Sequence, residues 1–284
     1  MEIINRRARI LSLSRKIRRE NKTIGFVPTM GALHQGHISL VKQARQSSDV
    51  VIVSIFVNPT QFNDKEDFQK YPRDLTSDVA ILSEYQVDYV FAPDEKEIYG
   101  EKFSTYVYVE GLSDILEGAS RPGHFRGVAT IVTILFNLIR PDFAFFGQKD
   151  AQQVAVVKRL TKDLGFDTEI IVMPTVREPS GLAMSSRNSR LNDEQRQRAA
   201  VIYQALKQAE KAFEKGERNA HTLEKIVREK IQSEPLAAID YVAIVDSESF
   251  QQISEIEDRE ALILVAVNFA GVRLIDNIVL NSRQ

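Results

Sequence analysis

The chain has 284 residues, 37 Lys+Arg against 39 Asp+Glu and a formal charge of -2, a balance that argues against a general nucleic-acid binder, whose attraction for phosphate shows as a basic excess. It contains no cysteine, which excludes a disulfide framework, a thiolate nucleophile and Cys-ligated metal sites. Its longest apolar runs fall short of the roughly 20 residues that cross a bilayer, and its first residues lack the unbroken apolar core of a secretory signal. The expectation is a soluble, cytoplasmic globular protein with no membrane and no nucleic-acid partner.

In chain order, short apolar runs predict buried strands over Thr23–Pro28, Val50–Val57, Val87–Ala92, Asp142–Phe146 and Glu169–Met173. Helical spacing falls between them, at His37–Gln46, Leu75–Tyr85, Val128–Ile139 and Ala151–Leu164. Strand–helix alternation implies an α/β fold with a doubly wound, Rossmann-like parallel sheet, whose ligands bind beyond the carboxyl ends of the strands. Past Pro174 the pattern changes. The turn-rich segment Arg177–Asn192 reads as a hinge, followed by helices at Asp193–Lys215 and Thr222–Ser233. Strands follow at Asp240–Val245, Ala261–Asn268 and Val272–Leu280, the last two joined by Phe269-Ala270-Gly271 as a hairpin. Two domains are expected: residues 1–175, and a smaller α+β domain at residues 176–284.

The most informative stretch is Pro28–His37, PTMGALHQGH. It occupies a strand-to-helix turn, where exposed N–H groups favour anions. His34 and His37 lie three apart and can face one volume, a pair suited to a phosphate that gains charge in a transition state. Two further readings stand beside this one. The pair can simply cap the helix, or begin a zinc site, although no third ligand is evident. It is not a Walker A loop, because the Gly-Lys-Ser/Thr ending is absent.

Other segments fall at the same sheet edge. Asn58 and Gln61 follow the strongest apolar strand, and their neutral amides suit the hydroxyl or carboxylate of a small substrate; Asn58-Pro59 also reads as a plain turn. After Asp142–Phe146, Gly147 allows close backbone approach, and Lys149 offers a point charge to polyphosphate. Asp150 reads as a helix cap or a magnesium-side carboxylate. Ser185, Ser186 and Arg187 suit phosphate oxygens, and equally an ordinary Ser-rich linker. Asp74 and Asp78 suit either magnesium or a solvated helix face. His124, between Arg121 and Arg126, reads as a cap or a pocket-mouth residue, Arg73 as a loop-ordering side chain or an anion ligand, and His221 as inert.

The HxGH element His34–His37 resembles the signature of the nucleotidylyltransferase superfamily. The longer string PTMGALHQGH resembles the pantothenate synthetase (pantoate–β-alanine ligase) family within it. Similarity continues through FVNPTQF, YPR, LEGASRPGHFRGV, FGQKDAQQ, LAMSSRN and RLIDN, in the same order along essentially the whole chain. One departure is Gln148, where the family motif often carries Glu.

The resemblance implies an AMP-forming ligase that condenses pantoate with β-alanine, through pantoyl adenylate, to pantothenate. It implies ATP as substrate, Mg2+ with the phosphates, and a homodimer. ATP contacts are implied for Met30, Gly31, Ala32, Leu33, His34, Gln35, Gly36 and His37 in the first loop. Gly147, Gln148, Lys149 and Asp150 form a second set, and Val176, Met184, Ser185, Ser186 and Arg187 a third. Catalysis falls to His34, His37, Lys149, Ser186 and Arg187, and substrate binding to Gln61, Gln153 and Asn58. No metal ligand is assigned. An acyl adenylate must be shielded from water, which gives closure of the second domain a purpose. A nucleotidylyltransferase that stops after nucleotide transfer, a non-catalytic nucleotide sensor and a tRNA-aminoacylating enzyme are the competing readings. The amide-rich blocks, the intact motifs and the lack of a basic surface weigh against each in turn.

Overall fold

Six runs pair in parallel: β1 (Glu2–Ile4), β2 (Ile24–Thr29), β3 (Val50–Ile55), β4 (Tyr89–Phe91), β5 (Phe143–Gly147) and β6 (Glu169–Met173), in the order β1-β4-β3-β2-β5-β6. In this computed structural model, which describes residues 1–281, they belong to a first unit of residues 1–147 and 152–174. The strands are apolar because helices cover both faces. On one face α1 (Arg7–Arg19), α7 (His124–Ile139) and α8 (Ala151–Asp163) bury Ile10, Leu13, Val128, Leu135, Val157 and Leu160. On the other, α2 (Gln35–Ser47) and α4 (Leu75–Ser83) bury Ile38, Val41, Ala44 and Leu82. Each such side chain contributes about 1.5–3 kcal/mol by leaving water. This is the doubly wound fold expected from the alternation. The short helices α3 (Lys65–Lys70), α5 (Glu95–Tyr99) and α6 (Glu117–Ser120) lie in the connections.

Strand order reverses between β2 and β5, and Pro28 shapes that place. Along β2, Ile24 O accepts from Asp142 N on the β5 side, while Thr29 O accepts from Phe56 N on the β3 side. With a period of two, Pro28 faces β5 but has no N–H to offer. The β2–β5 ladder accordingly ends at Phe26↔Ala144, whereas β2–β3 pairing runs on to Thr29↔Ile55. The two strands part at their carboxyl ends, where such folds bind ligands.

The second unit comprises residues 148–151 and 175 onward. The helices α9 (Asp193–Arg198), α10 (Val201–Glu214) and α11 (Ala220–Gln232) accompany an antiparallel sheet of β7 (Ala237–Asp246), β8 (Glu260–Phe269) and β9 (Val272–Asn281). Helix α10 places Ile202, Leu206, Ala209 and Phe213 on one buried stripe, the spacing of a helix with one apolar face. Strands β8 and β9 meet at Phe269↔Val272, leaving a two-residue turn with φ 49 at Ala270 and 84 at Gly271. Positive φ at both positions matches the right-handed strand twist.

Several expectations need revision. Helix α2 starts at Gln35, and α7 starts at His124 instead of Val128. The single helix expected over Asp193–Lys215 divides at Ala199 and Ala200, whose ψ values of -16 and -17 tighten the backbone toward 3-10 geometry. Arg177–Asn192, expected as a hinge, is hydrogen-bonded structure: Arg177 bridges Ala183, and Met184 N donates to Val176 O at 3.0 Å. The last three positions of the expected second domain, 282–284, lie outside the described residues.

Candidate active site

The loop after β2 is built on a buried carboxylate. Gly31 turns with φ 80 and Ala32 with φ 50, a left-handed conformation that costs a residue bearing a Cβ. Asp78 of α4 holds it there: its Oδ2 accepts from Ala32 N at 3.0 Å and its Oδ1 from Leu33 N at 2.8 Å. The side chain is buried, and burial pushes its carboxyl above the usual aspartate range despite the two backbone donors. A Cβ at Gly31 would stand 2.7 Å from Asp78 Oδ2, so the position needs glycine.

The chain then reaches His34, the N-cap of α2. His34 Nδ1 accepts from Gly36 N at 3.1 Å, and His37 Nδ1 faces His34 N at 3.3 Å in a reciprocal capping box. The ring centroids are 4.1 Å apart. Because both Nδ1 atoms accept, each neutral ring carries its proton on Nε2. The cap therefore occupies Nδ1 of each ring and places each ring's N–H at Nε2. The anion site expected from backbone N–H groups is different in detail: those of Ala32, Leu33, His34 and Gly36 are engaged by Asp78, His37 and His34.

Gln61 belongs to the same unit and is held on three sides. Its Nε2 lies 2.7 Å from Met30 Sδ and its Oε1 accepts from Asn58 Nδ2 at 3.0 Å. Its backbone carbonyl meets His124 Nδ1 at 2.8 Å. Arg121 Nη1 stands 3.2 Å from His124 Nε2, and arginine can only donate. His124 is thus the Nδ1–H tautomer and donates to Gln61 O; it is a buried backbone anchor. Gly127 packs so tightly beneath that a Cβ would fall 2.3 Å from Thr60 O.

Asn58 is 1% exposed. Its Nδ2 donates to Gln61 Oε1 and to Gly127 O at 3.2 Å, and its Oδ1 accepts from Tyr99 OH at 2.5 Å and Thr60 Oγ1 at 2.9 Å. A substrate contact from Asn58 must share these partners. Burial pushes Tyr99 up to about 12, so the phenol keeps its proton. Gln153 is half-buried in the first turn of α8, and a Cβ at Gly147 would meet no atom within 4 Å.

The second unit carries the other expected side chains. Gln148, Lys149 and Asp150 form a 3-10 turn, with Lys149 Nζ 3.7 Å from Asp150 Oδ1. Ser185 caps the 3-10 turn Ser186–Arg190 by accepting from Arg187 N at 3.2 Å, so Ser186 and Arg187 open that turn. Arg177 pairs with the buried Asp276 and lies 3.7 Å from the Tyr203 ring centroid.

Two of the carboxylates considered for magnesium, Asp74 and Asp78, have other work. Asp74 caps α4 by accepting from Ser77 N at 3.0 Å, and Asp78 holds the loop. Among the described residues, no group of three or more His, Asp or Glu side chains could hold a metal ion. Arg73 donates to Phe68 O at 2.9 Å and covers the Phe68 ring, ordering α3 as expected. His221 is exposed near the start of α11.

The sequence model of the family described as Pantoate-beta-alanine ligase matches residues 2–279. The chain belongs to that family. Pantothenate synthetase of Thermosipho africanus (strain TCF52B) is 50% identical over 280 residues, 99% of this chain and 100% of that protein. The crystal structure of pantothenate synthetase from Thermus thermophilus has a TM-score of 0.91 and 43% identity, covering 98% of this chain and 99% of its own. That of pantoate-beta-alanine ligase from Francisella tularensis, complexed with beta-gamma ATP and beta-alanine, has a TM-score of 0.81 and 40% identity, covering 98% and 97%.

For a pantoate–β-alanine ligase, the instructive residues are those the motifs left without a role. Tyr99 carries no local signal, being one aromatic residue in a short helix. Asp78 was visible only as a magnesium candidate or a solvated helix carboxylate, and Asn277 only as the end of RLIDN. Asp78 and Asn277 act on backbone far away in the chain, and Tyr99 on the Asn58 side chain 41 positions back. Among the described residues no helix is long and apolar enough to cross a membrane.

Proposed function

We propose that the protein condenses pantoate with β-alanine at the expense of ATP, through a pantoyl adenylate. In the first step a pantoate carboxylate oxygen attacks the α-phosphorus, and the bond to the β-phosphate oxygen breaks, releasing pyrophosphate. In the second the amine of β-alanine attacks the acyl carbon, the bond to AMP breaks, and the amine loses a proton. Pantothenate and AMP result.

A carboxylate is already ionised near neutral pH and needs no base, so the first step calls for alignment and for donors to the phosphate oxygens. The observation that carries the reading is the His34–His37 capping box, which commits both Nδ1 atoms to backbone and leaves Nε2–H as the donor of each ring. His34 and His37 are assigned to the α-phosphate, with His37 as proton donor. Lys149, Ser186 and Arg187 are assigned to phosphate oxygens. Met30–His37, Gly147–Asp150, Val176 and Met184–Arg187 form the ATP contacts. Gln61 and Gln153 are assigned to the small substrates, with Asn58 orienting the Gln61 amide. Magnesium would come with the nucleotide, since Mg2+ keeps waters and takes few protein ligands. A homodimer in the cytoplasm completes the reading.

The test is isotope exchange. Labelled pyrophosphate should enter ATP only when pantoate is present, and β-alanine should then drive formation of AMP without ADP. Exchange that needs no pantoate, or that other acids support equally, overturns the assignment.

A further inference from the structure

We propose that Asn277 is a positioning residue for Lys149, an inference that rests on the reading of Lys149 as a phosphate contact. Asn277 lies in β9 and is 3% exposed. Its Nδ2 spends its two hydrogens on consecutive carbonyls, Gln148 O and Lys149 O, each at 2.9 Å. Its Oδ1 accepts from Gln148 Nε2 at 3.1 Å, so the amide and the 3-10 turn grip each other from both sides.

The geometry matters because of which two carbonyls are held. Gln148 O belongs to the peptide plane before the Lys149 Cα, and Lys149 O to the plane after it. A peptide unit is planar, so fixing one carbonyl direction orients the whole unit. Two oriented planes flanking one Cα leave little freedom in its φ and ψ, and so set the direction of the Cα–Cβ bond. A lysine stem is flexible beyond that point. Its root is the part that a neighbour can aim, and Asn277 aims it.

Asn277 is itself anchored. Its N–H donates to Asp276 Oδ1 at 2.8 Å, and Asp276 accepts from both Nη1 and Nη2 of Arg177. Arg177 also donates to Gly181 O at 3.2 Å. The RLIDN segment thus ties the Lys149 turn to the loop that leads into Ser185–Arg187. Neither Asp nor Ala can replace the amide: Asp would set oxygen against two carbonyls, and Ala would set nothing there.

The experiment compares Asn277→Ala, Asn277→Ser and Lys149→Ala with the double variant Asn277→Ala/Lys149→Ala. Both half-reactions are read: pantoate-dependent pyrophosphate exchange, and release of AMP from supplied pantoyl adenylate by β-alanine. Assays run at a temperature where circular dichroism shows each variant folded. Misplacing a catalytic group by an ångström costs up to about a hundredfold. Asn277→Ala should therefore slow exchange about tenfold or more, Asn277→Ser should fall between, and aminolysis should stay within about twofold. In the Lys149→Ala background the same substitution should cost less than about twofold, because coupled residues are not additive. An unchanged exchange rate in Asn277→Ala, equal losses in both half-reactions, or a loss that multiplies in the double variant overturns the proposal. If Lys149→Ala alone leaves exchange intact, the phosphate role of Lys149 falls, and the proposal with it.

Discussion

Asp78 Oδ1 accepts a hydrogen bond from the backbone nitrogen of Leu33 at 2.8 Å, across 45 positions of sequence. With the bond to Ala32, it stabilises a left-handed turn at Gly31–Ala32, two residues before His34. The carboxylate is thus part of the reason the two imidazoles stand where they do.

Replacing Asp78 by Asn should reduce turnover about tenfold or more, since an amide sets N–H against one of two buried donors, and each unsatisfied group costs about 1–3 kcal/mol. The pH dependence has two opposite arms. Burial raises the folded-state pKa, so this group's contribution to stability is full below the unfolded pKa and is lost as pH rises through the folded one. The loop-holding ionised form instead fades as pH falls. Thermal melts and turnover measured from pH 4 to 7 should therefore diverge in the native protein, and their divergence should vanish in Asp78→Asn. Parallel curves would remove Asp78 from this role.

His34→Asn separates capping from chemistry. Asparagine is a good N-cap, so the melting temperature should change little, whereas loss of the cap altogether costs about 1 kcal/mol. Turnover should still fall by at least about a hundredfold, the usual scale for losing a transition-state donor. His37→Ala should likewise lower turnover far more than ATP affinity, as read by steady-state kinetics and by nucleotide titration. Native-like turnover in either variant removes that imidazole from the mechanism.

Arg177→Met leaves Asp276 buried without its partner, a change that typically costs about 3–5 kcal/mol. Burial already pushes the Asp276 carboxyl up and Arg177 opposes the rise; without Arg177 it climbs further. A raised folded-state pKa gives stability at low pH that is lost as pH rises. The deficit of the variant against the native chain should therefore be smallest in acid and grow toward neutrality. Denaturant melts across pH 4.5 to 8 measure it, and a pH-independent deficit would contradict the ion-pair account.

Tyr99→Phe removes a donor from Asn58, whose amide orients Gln61. A several-fold rise in KM for pantoate is expected with kcat changed much less, since one neutral hydrogen bond contributes about 1 kcal/mol. Burial pushes this phenol up to about 12, so the native pH profile should show no inflection from Tyr99 below that range. An equal fall in kcat with no change in KM would place Tyr99 elsewhere in the mechanism.

The parallel-sheet unit was legible because Val50–Ile55 and Glu169–Met173 are apolar runs long enough to declare strands, and because His34 and His37 follow one such run across a glycine-bearing turn. The first twenty residues were not: β1 spans only Glu2–Ile4, too short for a period, and the apolar stripe Ile10–Leu13–Ile17 is set among arginines. The break at Ala199–Ala200 left no mark either, because alanine is the best helix former.

Local chemistry along the chain was enough for the fold class, the family and the side chains assigned to the substrates, since strand runs, turn glycines and the HxGH spacing all act within a few residues. What aims those side chains came only from folding in three dimensions. Asp78 grips the loop before His34, and Asn277 grips the turn of Lys149 across 128 positions. A hydrogen bond between distant segments depends on where the chain returns in space, which no periodicity along the sequence records.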